Sequence, residues 1–182
     1  MNHITFIDRT ATTPDRQALL DSVHAAFGAT PAMFRAAANS PAALQSMWGS
    51  FGALGSGVIA PKLAEQIAVA VADCNACEYC LAAHTALGRK AGASADEMRA
   101  AQAGESADPK TQAALRFALR IVDARGQISD GDLQALRAAG FGDEEAVEIL
   151  AHVALNIFTN YLNLAFAVPV DFPGVALHRK PS

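Results

Sequence analysis

The sequence has little that would tie it to nucleic acid or to a membrane. Its 182 residues include 14 lysines and arginines against 18 aspartates and glutamates, a net charge of −4 with a pI near 5.7. A surface of that sign gives no electrostatic footprint for a polyanion or an anionic bilayer. No apolar run approaches the length of a membrane span. The opening stretch, MNHITFIDRT, lacks a basic region followed by a long apolar core, so no secretory signal is read there and a cytoplasmic location is expected. The three cysteines are too few for a disulfide framework. In a reducing compartment a close cysteine pair points to transient or catalytic chemistry. Valine, isoleucine and threonine are sparse beside alanine, which disfavours sheet.

What is present is a chain that can bury a core. About half of it, 52%, is hydrophobic, which argues against disorder, and 182 residues suit one domain. Proline and capping residues divide it into helices. Residues 1–13 read as an extended arm, with a brief alternation over His3-Ile4-Thr5-Phe6-Ile7. Thr13-Pro14 opens a helix that Gly28 stops; Thr30-Pro31 opens a second, to about Asn39; Ser40-Pro41 opens a third, carrying Met47, Trp48 and Phe51. The third frays into GALGSG, which no strand precedes and which does not match a dinucleotide fingerprint; it reads as a turn. Pro61 begins a helix to about Asp73. Ser94 with Glu97 forms a capping box, Asp108-Pro109 opens a helix through Arg125, and Ser129 caps another ending at Gly140. A last helix runs from Asp143 to Phe166, with Val147, Leu150, Ala154, Ile157, Phe158 and Tyr161 at helical spacing. Residues 168–182 form an extended tail. The expected fold is all-α, one domain of eight or nine helices.

Chemistry concentrates in DCNACEYCLAAH, residues 73–84. Asn75 reads as an N-cap with Glu78 completing a capping box, so that a helix begins at Ala76 and Cys77 and Cys80 lie in its first turn. The positive end of a helix and a CxxC spacing both favour a thiolate. His84, four residues past Cys80, shares its face and is placed to take its proton. Cys80 is therefore the candidate for first attack and Cys77 the candidate for closing a disulfide. Glu65, on the preceding helix, would approach His84 if residues 61–92 fold as an antiparallel hairpin; a solvated carboxylate is the alternative. A metal clip of Cys74, Cys77, Cys80 and His84 is disfavoured, because structural zinc usually draws its ligands from two elements. Cys74 reads as a small buried residue at a helix end.

Elsewhere, His152, Asn156 and Asn160 recur every four residues on the last helix, a polar stripe read as a satisfied seam in preference to a cavity or interface lining. His24 and His178 read as surface, and His3 sits in the arm. Met47 and Trp48 read as packing.

Glu65, then Cys77-Glu78-Tyr79-Cys80, then His84, together with Asn160-Tyr161 and Asp171-Phe172-Pro173, resemble the alkylhydroperoxidase D core of the carboxymuconolactone decarboxylase superfamily, in its peroxidase-related branch. The resemblance implies an all-helical homo-oligomer, a trimer or hexamer, and a cofactor-free thiol peroxidase or disulfide reductase. Cys80 would attack a peroxide substrate, Cys77 would resolve the sulfenic acid to a disulfide, His84 would be the base and Glu65 its relay. A dithiol reductant, lipoyl or thioredoxin-like, would reset the pair. The family's well-known members carry a relay histidine where Tyr79 stands, so Tyr79 would take that place with a poorer base. Rival readings are a lactone-acid decarboxylase and a non-catalytic oligomeric or metal-binding protein of the same fold. The intact Cys77, Cys80 and His84 argue against both.

Overall fold

A computed structural model describes residues 3–178. Residues 1–2 of the arm and 179–182 of the tail lie outside the described residues. Nine helices and no strand occur among those described: α1 Pro14–Phe27, α2 Ala32–Ala37, α3 Pro41–Leu54, α4 Pro61–Cys74, α5 Glu78–Lys90, α6 Ala95–Gln102, α7 Pro109–Asp123, α8 Asp130–Ala138 and α9 Asp143–Ala165. The caps at Ser40, Ser94, Asp108 and Ser129 all accept a backbone N–H in the first turn. The second helix is shorter than expected, because Pro31 stands at its N-cap, and α3 runs on through Gly52 to Leu54 before the chain turns. No helix among the described residues is long and apolar enough to cross a membrane.

The centre of the molecule is α4. Every residue from Gln66 to Asp73 is buried. A helix apolar nearly all round can only be covered on all sides, and α5, α6, α7 and α9 pack around it. The alternation over residues 3–7 does not become a strand. The arm is tied to α2 and its exit by Ile7 N–H to the Arg35 carbonyl (3.1 Å) and by Asn39 Nδ2 to the Thr5 carbonyl (2.7 Å). The tail runs from α2 past α6 to α4. Asp171 accepts from Ala32 N–H (2.7 Å), Gln102 Nε2 donates to the Ala176 carbonyl (2.8 Å), and His178 N–H donates to buried Asp73 (2.8 Å).

The last helix is oriented against its apolar pattern. Val147 is 66% exposed and Tyr161 58%, and Leu150, Ala154 and Phe158 are also on the outside. His152, Asn156, Thr159, Asn160 and Asn163 are buried against the centre instead.

Candidate active site

The turn between α4 and α5 differs from the sequence expectation by two residues. Asn75 is the C-cap of α4, and Ala76 takes a left-handed conformation, φ 55°. Ala76 N–H bonds to the Asp73 carbonyl and Cys77 N–H to the Ala72 carbonyl, which closes α4 with the paired bonds of a Schellman ending. A left-handed alanine cannot start a helix. The N-cap is therefore Cys77, whose sulfur accepts from Cys80 N–H at 3.4 Å, and Glu78 is the first helical residue. The Asn75 side chain does not cap α5; its Nδ2 donates to Asn160 Oδ1 at 2.9 Å.

The two thiols are made unequal by what surrounds them. Cys77 and Cys80 are 1% and 2% exposed. The hydrogen bond from the Cys77 thiol is the main force holding Cys80 toward its thiolate; burial opposes it, and the His84 ring and the amides of Asn163 and Asn160 add to it. The net result lowers the Cys80 pKa to about 6. The same bond, with burial, pushes Cys77 well up. Asn163 Nδ2 lies 3.1 Å from the Cys80 sulfur. Hydrogen bonds to an ionised acceptor are the strong kind.

His84 and Glu65 meet across the α4–α5 hairpin. His84 Nδ1 lies 2.7 Å from Glu65 Oε2. Burial disfavours a charged ring, but the attraction and hydrogen bond of Glu65 outweigh it, and His84 binds its proton more tightly than usual. With Nδ1 occupied, Nε2 is the nitrogen left for Cys80. The close approach depends on Gly88, one turn beyond His84 on the same face. A Cβ there would run into the thioether end of buried Met98 and lie 3.3 Å from the Cβ of Glu65.

Tyr79 is buried beside Cys80, but its hydroxyl is engaged elsewhere. It accepts from Met33 N–H at 3.4 Å and lies near the Asp171 charge, while its ring meets Phe172 edge-on with centroids 5.6 Å apart. Burial, then the Asp171 charge, drives its pKa upward. No hydrogen bond among the described residues joins Tyr79 to Cys80, His84 or Glu65. The contacts of the ring and hydroxyl tie α5 to α2 and the tail. Cys74 also points away from the pair, its sulfur 3.7 Å from Asp123 Oδ1 and half-exposed. No cluster of three or more histidine, cysteine or acidic side chains among the described residues is placed to hold a metal ion.

The polar stripe of α9 lines the site and is not a satisfied seam. Buried His152 Nε2 and Asn163 Oδ1 have no hydrogen-bond partner among the described residues. Asn163 was not among the sequence candidates. Its signal was its place one turn beyond Asn160 on the same stripe.

Two chambers meet at the His84 ring. One, about 40 Å³, reaches Cys80 and is walled by Phe27, Phe34, Phe51 and Phe172 with Met33 and Leu87. The other, about 200 Å³, does not touch the cysteines. Glu65, His152 and Asn156 line it with Phe51, Leu54 and Ile59.

Residues 41–124 match the model of the carboxymuconolactone decarboxylase family. No curated protein matches the sequence significantly. Among solved structures, the chain is similar to a peroxidase-related protein of the alkylhydroperoxidase AhpD core from Ralstonia eutropha JMP134, with 24% identity, a TM-score of 0.85 and coverage of 93% of this chain and 92% of that one. A peroxidase-related protein from Silicibacter sp. TM1040 gives 23% identity and 0.79 over 96% and 92%. The debrominase Bmp8 gives 20% identity and 0.79 over 92% and 91%, and a variant of it has been solved with 2,3,4-tribromopyrrole. At these identities the likeness is one of fold.

Proposed function

Since this chain belongs, through residues 41–124, to the carboxymuconolactone decarboxylase family, we propose that it is a thiol-dependent peroxidase or disulfide reductase of the alkylhydroperoxidase-like type, working by a Cys77–Cys80 dithiol/disulfide cycle. The observation that carries the reading is the unequal setting of the two thiols: the Asn163 amide lies 3.1 Å from the Cys80 sulfur, and the Cys80 amide donates to the Cys77 sulfur at the helix cap, an arrangement that favours the thiolate at Cys80. The Cys80 thiolate attacks the terminal peroxide oxygen. The O–O bond breaks, the leaving alkoxide takes a proton from His84, and Cys80 becomes a sulfenic acid. The Cys77 sulfur then attacks the Cys80 sulfur. A disulfide forms, and hydroxide leaves with the Cys77 proton as water. Glu65 holds the ring of His84 and its charge. A dithiol, lipoyl or thioredoxin-like, returns the pair to thiols by exchange, which suits a reducing compartment such as the cytoplasm.

The walls of the smaller chamber favour an apolar organic hydroperoxide. Four phenylalanines and no lysine or arginine surround Cys80, so a lactone acid would find only His84 to pair with its carboxylates there. The outward apolar face of α9 supports a homo-oligomer, trimer or hexamer, since such faces on a single chain mark contact surfaces.

The experiment is hydroperoxide consumption driven by a dithiol, for wild type and Cys80→Ser. Activity is expected in the first and absent in the second; equal rates would sink the reading. Mass spectrometry of the oxidised chain should find a Cys77–Cys80 disulfide with Cys74 still a thiol.

The same apolar wall beside a thiolate favours a second reading, reductive dehalogenation of a small haloaromatic, because a debrominase shares the fold. There the thiolate would take the halogen, His84 would protonate the carbon, and Cys77 would displace halide to give the same disulfide. Halide release from a brominated pyrrole in the presence of a dithiol separates the two.

A further inference from the structure

His152 is a buried titratable group that the thiol chemistry leaves unused. It is 7% exposed, and its Nε2 is buried with no hydrogen-bond partner among the described residues. It stands on the wall of the larger chamber together with Glu65 and His84. Its neighbour one turn back on α9, Glu148, has an oxygen 3.9 Å from that same nitrogen. Both oxygens of Glu148 are engaged by the connector before α4: Val58 N–H reaches Oε2 at 2.9 Å and Ile59 N–H reaches Oε1 at 2.7 Å. Burial opposes its charge, but those two amides outweigh it and hold the carboxylate ionised and fixed. The Glu65–His84 pair from the hairpin and His152 from α9 therefore face one chamber, and Glu148 stands behind His152.

The two histidines differ in their hold on a proton. His84 is favoured in its charged form, whereas burial keeps His152 neutral. The charged or titratable groups facing His152 are Glu148 on its own helix, Glu65 on α4 and His84 on α5. What α3 and the connector contribute to the wall, Phe51, Leu54 and Ile59, is apolar. A chamber of about 200 Å³ with these polar groups has room for several waters. In the smaller chamber, walled mostly by phenyl rings and with the Tyr79 hydroxyl engaged by Met33 N–H, His84 is the base beside Cys80.

We propose that His152, held by Glu148, is the station through which the Cys80–His84–Glu65 set exchanges protons with solvent. The inference rests on the reading of Cys80 and His84 given above. Cys80 passes its proton to His84 Nε2. The Nδ1 proton of His84 moves to Glu65, and chamber water carries it on to the open Nε2 of His152. The thiolate then stands at Cys80 and an imidazolium beside Glu148, with total charge unchanged. Running in reverse, the path recharges His84 before the next leaving group needs a proton. His152 does not touch the reacting atoms; it is a positioning residue for the proton.

The test follows the proton itself. The His84 Nδ1–H held against Glu65 gives a low-field resonance in the NMR spectrum of the reduced protein, and its exchange with water is measured. In His152→Gln, which keeps hydrogen bonding but carries no proton, exchange slows by about tenfold or more. In His152→Ala exchange is also slow, and added imidazole, small enough for the chamber, restores it. Unchanged exchange in His152→Gln overturns the proposal, as does fast exchange in His152→Ala without imidazole. Hydroperoxide turnover is read on the same samples. A wild type with His152-dependent exchange and no turnover defeats the peroxidase reading alone. Turnover with His152-independent exchange defeats the proton station alone.

Discussion

The side-chain amide of Asn163 stands 3.1 Å from the sulfur of Cys80, 83 positions away in the chain. It is a donor aimed at a thiolate in a place with little water. A hydrogen bond to a charged acceptor contributes about 1.5–3 kcal/mol, which equals about one to two pKa units. Asn163→Leu should therefore raise the pKa of Cys80 by that amount and slow its reaction with iodoacetamide at neutral pH. The measurement is alkylation against pH, followed on the peptide that holds Cys80. An inflection that does not move would deny Asn163 this role.

The pH profile of turnover should be a bell. Cys80 is reactive as thiolate, so the rate climbs as pH rises through about 6. His84 must carry a proton for the leaving group, so the rate falls as pH passes the raised pKa of the ring. Glu65→Gln removes the largest attraction that holds that proton. It should shift the alkaline limb to lower pH and reduce the plateau about 10- to 100-fold. A loss of rate with both limbs in place would mean Glu65 acts only in folding.

The depressed Cys80 pKa also has a stability signature. A thiolate favoured in the folded state stabilises it at pH above the unfolded thiol value of 9.0, and this contribution is lost as pH falls toward about 6. The difference in unfolding free energy between reduced wild type and Cys80→Ser should shrink steadily over that interval. A difference that grows on acidification would reverse the assignment.

Tyr79→Phe separates a structural tie from a relay. The phenol accepts from Met33 N–H, and no hydrogen bond among the described residues joins it to His84. The variant should lose about 0.5–1.5 kcal/mol of stability, the worth of one buried hydrogen bond, with little change in rate per folded molecule. A collapse of turnover with stability intact would restore the relay.

Gly88→Ala should destabilise the protein by about 1–3 kcal/mol despite alanine's better helix propensity, because the methyl overpacks a closed contact. It meets Met98 and Glu65, and Met98→Ala in the same chain should recover part of the loss by making room. Thermal unfolding of the single and double variants decides. A stabilised single variant would show that α5 is free to move away from α4.

Much of this could be read from sequence, for physical reasons specific to each element. The caps at Ser94, Ser129 and Asp108 are local, with side chain and amide three residues apart, and they appear where the pattern put them. Glu65 and His84 meet because two short helices joined by a tight turn have little choice but to pack antiparallel. The turn itself was misplaced. Asn75 has the chemistry of an N-cap, yet the chain needed a left-handed residue to end α4, and Ala76 supplied it with no glycine to signal it. The last helix was harder. Its apolar spacing is regular, but periodicity tells only that a face exists, not which side the rest of the molecule covers. Asn163 and the open nitrogen of His152 emerge only once α9 is laid against α4 and α5.

That orientation makes α9 a strip of two interleaved mutational sensitivities. Along its length, substitutions at His152, Asn156, Asn160 and Asn163 should register in pH dependence and thiol reactivity. Those at Val147, Leu150, Phe158 and Tyr161 should register in dilution experiments, as self-association, and leave the chemistry of an isolated chain alone. A scan that records only growth would merge the two and report a uniformly intolerant helix. Reading thiol reactivity and molecular mass in parallel would resolve them, each with the 3.6-residue period and the two out of phase.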